Sequence, residues 1–411
     1  MHWVILVYLI LNTLFFLVNF DQRDAQQIFF QLSSVIVFAC GMFFHNKEIK
    51  FSKLNVAIGV LLLAFVASWL KTFNFAPTLG APRWYIAMNF IFGVMVYFTI
   101  IRTLKKEDIP FILKGLTYLA VFCVGVLALQ VIGWDFRGAF AKNSPTVIPL
   151  ESVFFQRSAM GVFFANYSVL LLALTPVSLV FLYPMYLGMS TAACLGAYCG
   201  MLFFMWFRKR IWFWVILGIS IPVILLSIFK MDRETTQGIR VRLPIWATVT
   251  QDIFQKPLGH GLDSFANPDE GGWKYYHYGE GKKHLALKAV KKDGLVSGKT
   301  QVDDELLKEV IRDKANNVVG GGYIEFIDHP HNEYIWLGYE VGIQAWAILA
   351  FIFYFIWERF KFSKRDVLTC AFMGVLICLA VEAMMQFQFH ISRIGHILPV
   401  VLGFFYITTE E

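Results

Sequence analysis

Long apolar segments constrain this chain most, because a membrane-spanning helix needs about 20 apolar residues. The clear candidates are 3–20, 28–44, 54–70, 84–101, 111–133, 211–229, 335–357, 366–387 and 394–408. The stretch 159–207 is also apolar but too long for one helix. Hydrophobic residues make up 57% of the sequence and charged residues 16%, whereas about a quarter of a soluble domain is charged. The chain is therefore predicted to be an integral membrane protein.

Short clusters of basic residues between these segments predict how the chain crosses the membrane. Cytoplasmic loops carry an excess of Lys and Arg. The clusters are Lys47, Lys50 and Lys53; Arg102, Lys105 and Lys106; Arg208, Lys209 and Arg210; and Arg359, Lys361, Lys364 and Arg365. Placing all of them in the cytoplasm gives a cytoplasmic N-terminus and an external loop over 134–158.

The stretch 159–207 must then cross an odd number of times, because it leads from an external loop to the cytoplasmic Arg208 cluster. Three crossings are expected, with Pro176 and Pro184 near the breaks. The predicted fold class is an all-α integral membrane protein of about 12 transmembrane helices, with both termini cytoplasmic. Helices 1–9 occupy 1–229, one large periplasmic loop occupies 230–333, and helices 10–12 occupy 334–411. The localisation is the inner membrane of a Gram-negative cell.

The predicted loop is the only part of the chain with the composition of a soluble protein. Residues 302–315 have helical periodicity with charge pairs four apart. Residues 243–254 place apolar side chains on one face and predict a helix on the membrane surface. The segment 267–300 is rich in Gly, Lys and Tyr and is predicted to be irregular.

The net charge of +7 raises the question of a nucleic-acid partner. Because the basic residues lie in short clusters between apolar segments, membrane lipids are the expected partners and nucleic acid is not. The six cysteines all fall inside apolar segments, so neither a disulfide framework nor a zinc site is predicted.

Two histidines lie where the loop returns to the membrane, in the sequence Asp328-His329-Pro330-His331-Asn332-Glu333-Tyr334. A histidine beside a carboxylate can act as a general base. The residues alone leave two other interpretations open. His331 can be a polar residue that begins a helix, or His329, His331 and Asp328 can bind zinc, although no recognised ligand spacing supports zinc.

Two arginines lie near the other membrane boundary of the loop, in Gly238-Ile239-Arg240-Val241-Arg242-Leu243-Pro244-Ile245-Trp246. A guanidinium group binds phosphate through two parallel hydrogen bonds. Arg242 is therefore either a phosphate clamp or an anchor to lipid headgroups.

The order of these motifs resembles the bacterial O-antigen ligase and polymerase superfamily. The resemblance rests on Arg242-x-x-x-Trp246, Pro257-Leu258-Gly259-x-Gly261, Pro330-His331-Asn332-Glu333-Tyr334 and Glu340-x-Gly342. The motifs cover roughly 238–343, and the helices match in number and order. The resemblance implies a GT-C-like membrane enzyme with one large periplasmic loop before its last three helices.

The resemblance also implies a reaction, in which a glycan carried on undecaprenyl diphosphate is transferred to a hydroxyl acceptor. The acceptor is lipid A–core in ligases, a second lipid-linked glycan in polymerases, or a protein. No cofactor and no metal are expected. The resemblance makes His331 and Arg242 the catalytic residues. Arg240, Arg157, His329, Asn332, Glu333 and Arg393 are the candidate substrate-binding residues.

One stretch departs from the family pattern. Many relatives carry Ser-Arg-Gly after the seventh helix, with an arginine thought to help bind the diphosphate, but Ser190-Thr191-Ala192-Ala193 stands here. Arg157 or Arg240 is the expected replacement, unless a different stretch corresponds to the motif.

Four ionisable residues, Glu382, His390, Arg393 and His396, lie towards the outer end of the last two helices. They are expected either to pair with one another or to serve function.

Ligation to lipid A–core is the leading functional prediction, and a polymerase with the same chemistry is the closest alternative. A transporter or flippase of lipid-linked sugars is the alternative from another class. Transporters usually place functional charges at mid-membrane between repeated halves, and the sequence shows no such repeat. A structural subunit of an envelope complex is a further alternative.

Overall fold

The computed structural model describes a chain in which helices predominate. The described residues are 1–14, 23–44, 48–49, 51–72, 84–134, 157–187, 190–218, 242–243, 246–247, 249–262, 264–265, 273–280, 283–291, 322–327, 330, 332–385 and 395–410. They divide into two compact units. Unit 1 comprises Met1–Leu62, Tyr85–Gly218 and Phe351–Glu411, and unit 2 comprises Leu63–Trp84 and Ile219–Ala350.

The helices follow the predicted apolar segments. They are α1 (His2–Leu14), α2 (Arg23–Phe43), α3 (Lys53–Thr72), α4 (Trp84–Thr103), α5 (Ile109–Val131), α6 (Arg157–Leu171), α7 (Leu182–Leu187), α8 (Thr191–Arg208), α9 (Glu333–Glu340), α10 (Ile343–Phe362), α11 (Val367–Ala383) and α12 (Ile397–Thr408). Helical residues also occupy 210–218 and 249–255.

Among the described residues, four stretches are long and apolar enough to cross a membrane: Lys53–Lys71, Lys106–Val131, Thr191–Arg208 and Ile343–Phe362. Shorter apolar helices account for the spans predicted over 3–20, 28–44, 84–101, 366–387 and 394–408. Of the span predicted over 211–229, only 211–218 are described, and they are helical. These lengths and compositions indicate a membrane protein, as the sequence predicts.

The predicted span over 335–357 is wrong in its bounds, because two helices occupy it. Helix α9 ends at Glu340, and α10 begins at Ile343. Gly342 lies between them with φ +109°, a conformation that glycine adopts far more readily than other residues. The apolar run therefore bends before it enters the longer helix.

The middle crossing predicted within 159–207 is also too short. It consists of six residues of 3-10 helix, Pro176–Phe181, followed by the six residues of α7. Their combined rise is roughly 21 Å, against a hydrocarbon core of about 30 Å. No charged residue occurs between Arg157 and Arg208.

Helix α6 packs against the end of α7 and the start of α8 near its own first residues, and against α11 near its last residues. A Cβ built on Gly161, near the start of α6, would lie 3.2 Å from Cβ of Ser190 and 3.5 Å from the carbonyl oxygen of Met185. Near its end, Val169 approaches Gly374 in α11. The segment 157–187 is thus an apolar helical hairpin, whose open end lies beside the start of α8.

One end of unit 1 gathers members of the basic clusters. Nζ of Lys53 lies 3.4 Å from Oε1 of Glu358, and Nζ of Lys106 lies 3.0 Å from Oδ2 of Asp366. The guanidinium carbon of Arg365 lies 5.4 Å from the ring centre of Phe207, next to Arg208. The four predicted clusters therefore meet at one end of this unit.

Unit 2 contains an antiparallel sheet that the all-helical prediction did not include. Its strands are β1 (Trp273–Glu280), β2 (Lys283–Lys291) and β3 (Gly322–Ile327), in the order β2-β1-β3. The prediction of irregular structure over 267–300 is wrong for β1 and β2. β1 contains Trp and three Tyr residues, and β3 contains Tyr, Phe and two Ile residues, types that are enriched in strands. The predicted helix over 302–315 lies outside the described residues.

The surface helix predicted over 243–254 is confirmed only as helix over 249–255 and at 242–243 and 246–247. Val249 and Ile253 are fully buried, while Leu243 is exposed. The buried face of 249–255 therefore packs within unit 2 instead of lying on a lipid surface.

Candidate functional site

Two motif-bearing segments of unit 2 are joined by backbone hydrogen bonds. The amide of His260 donates to the carbonyl of Tyr339 at 2.9 Å, and the amide of Gly261 donates to the carbonyl of Glu340 at 2.9 Å. The amide of Ile343 donates to the carbonyl of Pro257, also at 2.9 Å. We call this arrangement of 257–261 and 339–343 the clamp.

Glycine is required at the clamp for two physical reasons. Gly259 has φ +78° and Gly342 has φ +109°, where side chains other than hydrogen are strained. A Cβ on Gly259 would also lie 2.5 Å from the carbonyl oxygen of Glu340, and one on Gly342 would lie 2.6 Å from that of Pro257. The spacing of glycines in the two motifs thus reflects close approach of two backbones.

Glu340 lies buried at the centre of the clamp, with 1% of its surface exposed. Its Oε1 accepts a hydrogen bond from the amide of Phe265 at 3.2 Å. The hydroxyl of Ser68, in α3, donates to its backbone carbonyl at 2.8 Å. The carboxylate of Glu340 therefore holds the chain after Gly261 against the end of α9.

A histidine that the sequence interpretation left unweighed lies beside the clamp. Nε2 of His260 lies 3.1 Å from Oδ2 of Asp252. The His260 ring stacks on Tyr339 at 4.1 Å with an interplanar angle of 9°. Asp252 and His260 are eight positions apart on a helix and a turn, a spacing with no recognised motif, so only the structure reveals the pair.

The clamp continues into α9, whose start carries the predicted histidine motif. Asn332 is the N-cap residue, because its Oδ1 accepts hydrogen bonds from the amides of Tyr334 at 3.0 Å and Ile335 at 3.1 Å. Glu333 is buried, at 6% exposure. Burial, followed by the charge of Glu333, raises the pKa of Tyr334 to about 12. Asn332 therefore has a structural role that the resemblance did not assign.

One hydrogen bond brings the arginine motif to the histidine motif. Nε1 of Trp246 donates to the carbonyl oxygen of Pro330 at 2.7 Å. Arg242 is half-buried and helical, and it lies four positions before Trp246, which is also helical. His331 follows Pro330 directly in sequence and precedes the cap residue Asn332, so the chain is anchored on both sides of it.

Several candidates fall elsewhere. His331, His329, Arg240, Arg393 and His390 lie outside the described residues. Arg157 is the first residue of α6 and belongs to unit 1. Among the described residues, no group of three His, Cys, Asp or Glu side chains is arranged to hold a metal ion. The alternative zinc site of His329, His331 and Asp328 lies outside them.

The stretch that departs from the family pattern begins a helix. Ser190 directly follows the hairpin and is the N-cap of α8, accepting a hydrogen bond from the amide of Ala193 at 3.2 Å. Thr191 stands in the first turn of α8. The stretch Ser190-Thr191-Ala192-Ala193 therefore begins a helix and carries no cation.

No protein-family model and no curated protein matches the sequence. The geometry of the clamp and the identity of the motif residues are therefore what bear on function.

Proposed function

We propose that this chain is an inner-membrane glycosyltransferase that moves a glycan from undecaprenyl diphosphate to a hydroxyl acceptor on the periplasmic side. Ligation to lipid A–core is the leading form of the reaction. The observation that carries the proposal is the hydrogen bond from Trp246 to Pro330, at 2.7 Å. It links the helical turn after Arg242 to the residue before His331, which supports a single site for a phosphate-binding group and a proton acceptor.

The proposed mechanism is a single inverting displacement. The acceptor oxygen bonds to the anomeric carbon of the glycan while the bond from that carbon to the diphosphate oxygen breaks. The imidazole of His331 takes the acceptor proton, and the diphosphate leaves with the electron pair. Arg242, with Arg240, stabilises the negative charge of the leaving group.

The transmembrane arrangement that supports this site differs from twelve full crossings. We propose that α6 and α7, with the 3-10 helix between them, enter the membrane from the periplasmic side and return to it. A returning hairpin replaces two crossings, so the chain still leads from an external 134–158 to a cytoplasmic Arg208. This arrangement keeps the basic clusters on one side, where they meet in unit 1.

Labelling of single cysteines by a membrane-impermeant maleimide tests this arrangement. Lys209→Cys should react only in opened cells, and Lys288→Cys in β2 should react in intact cells. Thr175→Cys, at the turn of the hairpin, should react in neither. Reaction of Thr175→Cys from the cytoplasm would restore three full crossings, and reaction of Lys209→Cys in intact cells would overturn the topology.

A transfer assay tests the enzyme. Purified protein receives undecaprenyl-diphosphate glycan and either lipid A–core or a second lipid-linked glycan, with donor binding measured in parallel. We expect His331→Ala to bind donor but to transfer glycan at least about a hundred-fold more slowly, as loss of a general base typically causes. His329→Ala is the neighbouring control and should be milder. Parent-like transfer by His331→Ala would show that another group is the base.

The arginine is tested in the same assay. Arg242→Lys keeps the charge but removes the planar pair of donors, and losing such a contact should cost on the order of 1.5–3 kcal/mol. Near-parental activity would make Arg242 a lipid anchor. Transfer to a lipid-linked glycan in preference to lipid A–core would identify a polymerase. Movement of donor across vesicles without transfer to any acceptor would replace the enzyme by a transporter.

A further inference from the structure

A buried carboxyl group joins two helices of unit 1. Glu382, near the end of α11, and Asn166, in the middle of α6, are both fully buried. Nδ2 of Asn166 donates to Oε2 of Glu382 at 2.9 Å and to the carbonyl of Val162, also at 2.9 Å. The sequence interpretation grouped Glu382 with His390, Arg393 and His396, whereas the structure pairs it with Asn166.

Among the described residues, two oxygen atoms of this pair have no hydrogen-bond partner: Oε1 of Glu382 and Oδ1 of Asn166. Both are acceptors when the carboxyl is ionised. Two thiols also interact with this carboxyl: that of Cys378, one turn earlier in α11, and that of Cys194 in α8. With the carboxyl of Glu382 ionised, the site therefore holds more hydrogen-bond acceptors than donors.

Close packing surrounds the carboxyl. A Cβ built on Gly196, in α8, would lie 2.8 Å from Cγ of Glu382 and 2.8 Å from the carbonyl oxygen of Cys378. The described residues that hydrogen bond to the carboxyl, an amide and a thiol, are uncharged groups. An ionised carboxylate in apolar surroundings is very unfavourable unless a cation or several donors compensate it.

We propose that Glu382 is a proton-binding site inside the membrane part of the chain. One proton from water adds to the carboxylate and makes a neutral carboxylic acid. The acid supplies the missing donor on Oε1, while Oε2 continues to accept from Asn166. The neutral acid and the amide then tie the α6 hairpin to α11.

A bound proton gives this contact a dependence on pH that an ordinary amide pair lacks. Ionisable groups at membrane depth commonly mark functional positions. Release of the proton would leave a charge between α6 and α11 and weaken their contact. Glu382 is not among the residues of the clamp, so the inference stands or falls independently of glycan transfer.

Infrared difference spectroscopy of the purified full chain detects the proton directly. At neutral pH the parent should show the carbonyl stretch of a protonated carboxyl group, and that band should be lost in Glu382→Gln. Glu358→Gln is the matched control, because Glu358 is partly exposed and paired with Lys53 at 3.4 Å, and it should leave the band unchanged. Absence of the band in the parent would overturn the proposal.

Thermal unfolding and a second variant complete the test. Glu382→Gln should keep the parent's melting temperature, because a primary amide, like the protonated acid, carries both a donor and an acceptor. Glu382→Leu, which has neither, should lower it. Asn166→Leu keeps the carboxyl of Glu382 but removes the hydrogen bond from Asn166, so it should shift the carboxyl band. This variant tests the proposal even if the Glu382 variants do not fold. A carboxylate band that depends on added Na⁺ would show that a monovalent cation is bound instead and would also overturn the proposal.

Discussion

Glycines bring chain segments into contact in both units, but for different reasons. In the clamp of unit 2, Gly259 and Gly342 have positive φ and approach carbonyl oxygens of the opposing segment. In unit 1, α8 packs along α11, and a Cβ on Gly200 would lie 2.5 Å from the carbonyl oxygen of Gly374. The clamp needs glycine for its backbone conformation and for space, whereas the helix pair needs it for space.

The clamp of unit 2 has the features of a functional site, whereas the pair of α8 and α11 in unit 1 has those of a structural scaffold. The clamp consists of backbone hydrogen bonds between the turn over 257–261 and the junction of α9 and α10, which hold specific side chains at the ends of these elements. The pair of α8 and α11 consists of regular helices whose backbone hydrogen bonds are already made internally, so only van der Waals packing sets their distance. The following predictions test the comparison, from the largest expected effect to the smallest.

Gly259→Ala should destabilise unit 2 most. Positive φ costs about 1–2 kcal/mol for an L-residue, and the clash with the Glu340 carbonyl adds roughly 1–3 kcal/mol of overpacking. Gly133→Ala is the matched control, because Gly133 has φ +92° but nothing within 4 Å of the added Cβ, so it should show the conformational part alone. Equal melting temperatures for the two variants would mean that backbone contact at the clamp is unimportant.

Trp246→Phe should reduce transfer activity and stability together. It removes the donor to the buried Pro330 carbonyl, at a cost of about 1–3 kcal/mol, and releases the residue before His331. Trp346→Phe is the control, because Nε1 of Trp346 donates to the carbonyl of Tyr334 at 2.6 Å, beyond the histidine. The ratio of activity lost to stability lost should be larger for Trp246→Phe, and similar ratios would argue against a positioning role.

Gly200→Ala should push α8 away from α11 and lower the stability of unit 1 by about 1–3 kcal/mol. Gly125→Ala in α5 meets nothing within 4 Å, so it should instead stabilise by roughly 0.5–1 kcal/mol, since alanine favours helix. The sign of the two changes, measured by unfolding in the same detergent, is the informative result. Destabilisation by both would point to a general intolerance of alanine.

Asp366→Asn should have the smallest effect, under about 1 kcal/mol at neutral pH, because both partners of its ion pair with Lys106 are partly exposed. Burial raises the pKa of Asp366, but hydrogen bonds from Thr369 and Lys106 outweigh it and hold the pKa below its usual value. A lowered pKa contributes stability above the ordinary carboxyl range, which is lost as pH falls through the folded value. Parent and variant should therefore converge in acid, and divergence there would contradict this assignment.

Much of the helical architecture could be predicted because each helix in a membrane must satisfy its own backbone groups, and apolar length reveals it. The break at Gly342 could not be located from the apolar run over 335–357, since hydropathy does not report backbone conformation. The sheet was missed because the glycines and lysines of 267–300 indicated a loop, although the tyrosines of β1 favour strands. The middle crossing predicted within 159–207 was overestimated, because the apolar length of the segment does not show that the 3-10 helix and α7 fold back along α6.

By itself, the sequence determined where the apolar segments lie and that the basic clusters share one side. It also determined the motifs that carry the candidate site. These are local properties, set by side-chain type and spacing. Only the tertiary structure decided that Trp246 bonds to Pro330, that Asp252 pairs with His260, and that Glu382 meets Asn166. Those contacts join residues far apart in the chain, and no local spacing encodes which distant segment a backbone carbonyl or a buried side chain will meet.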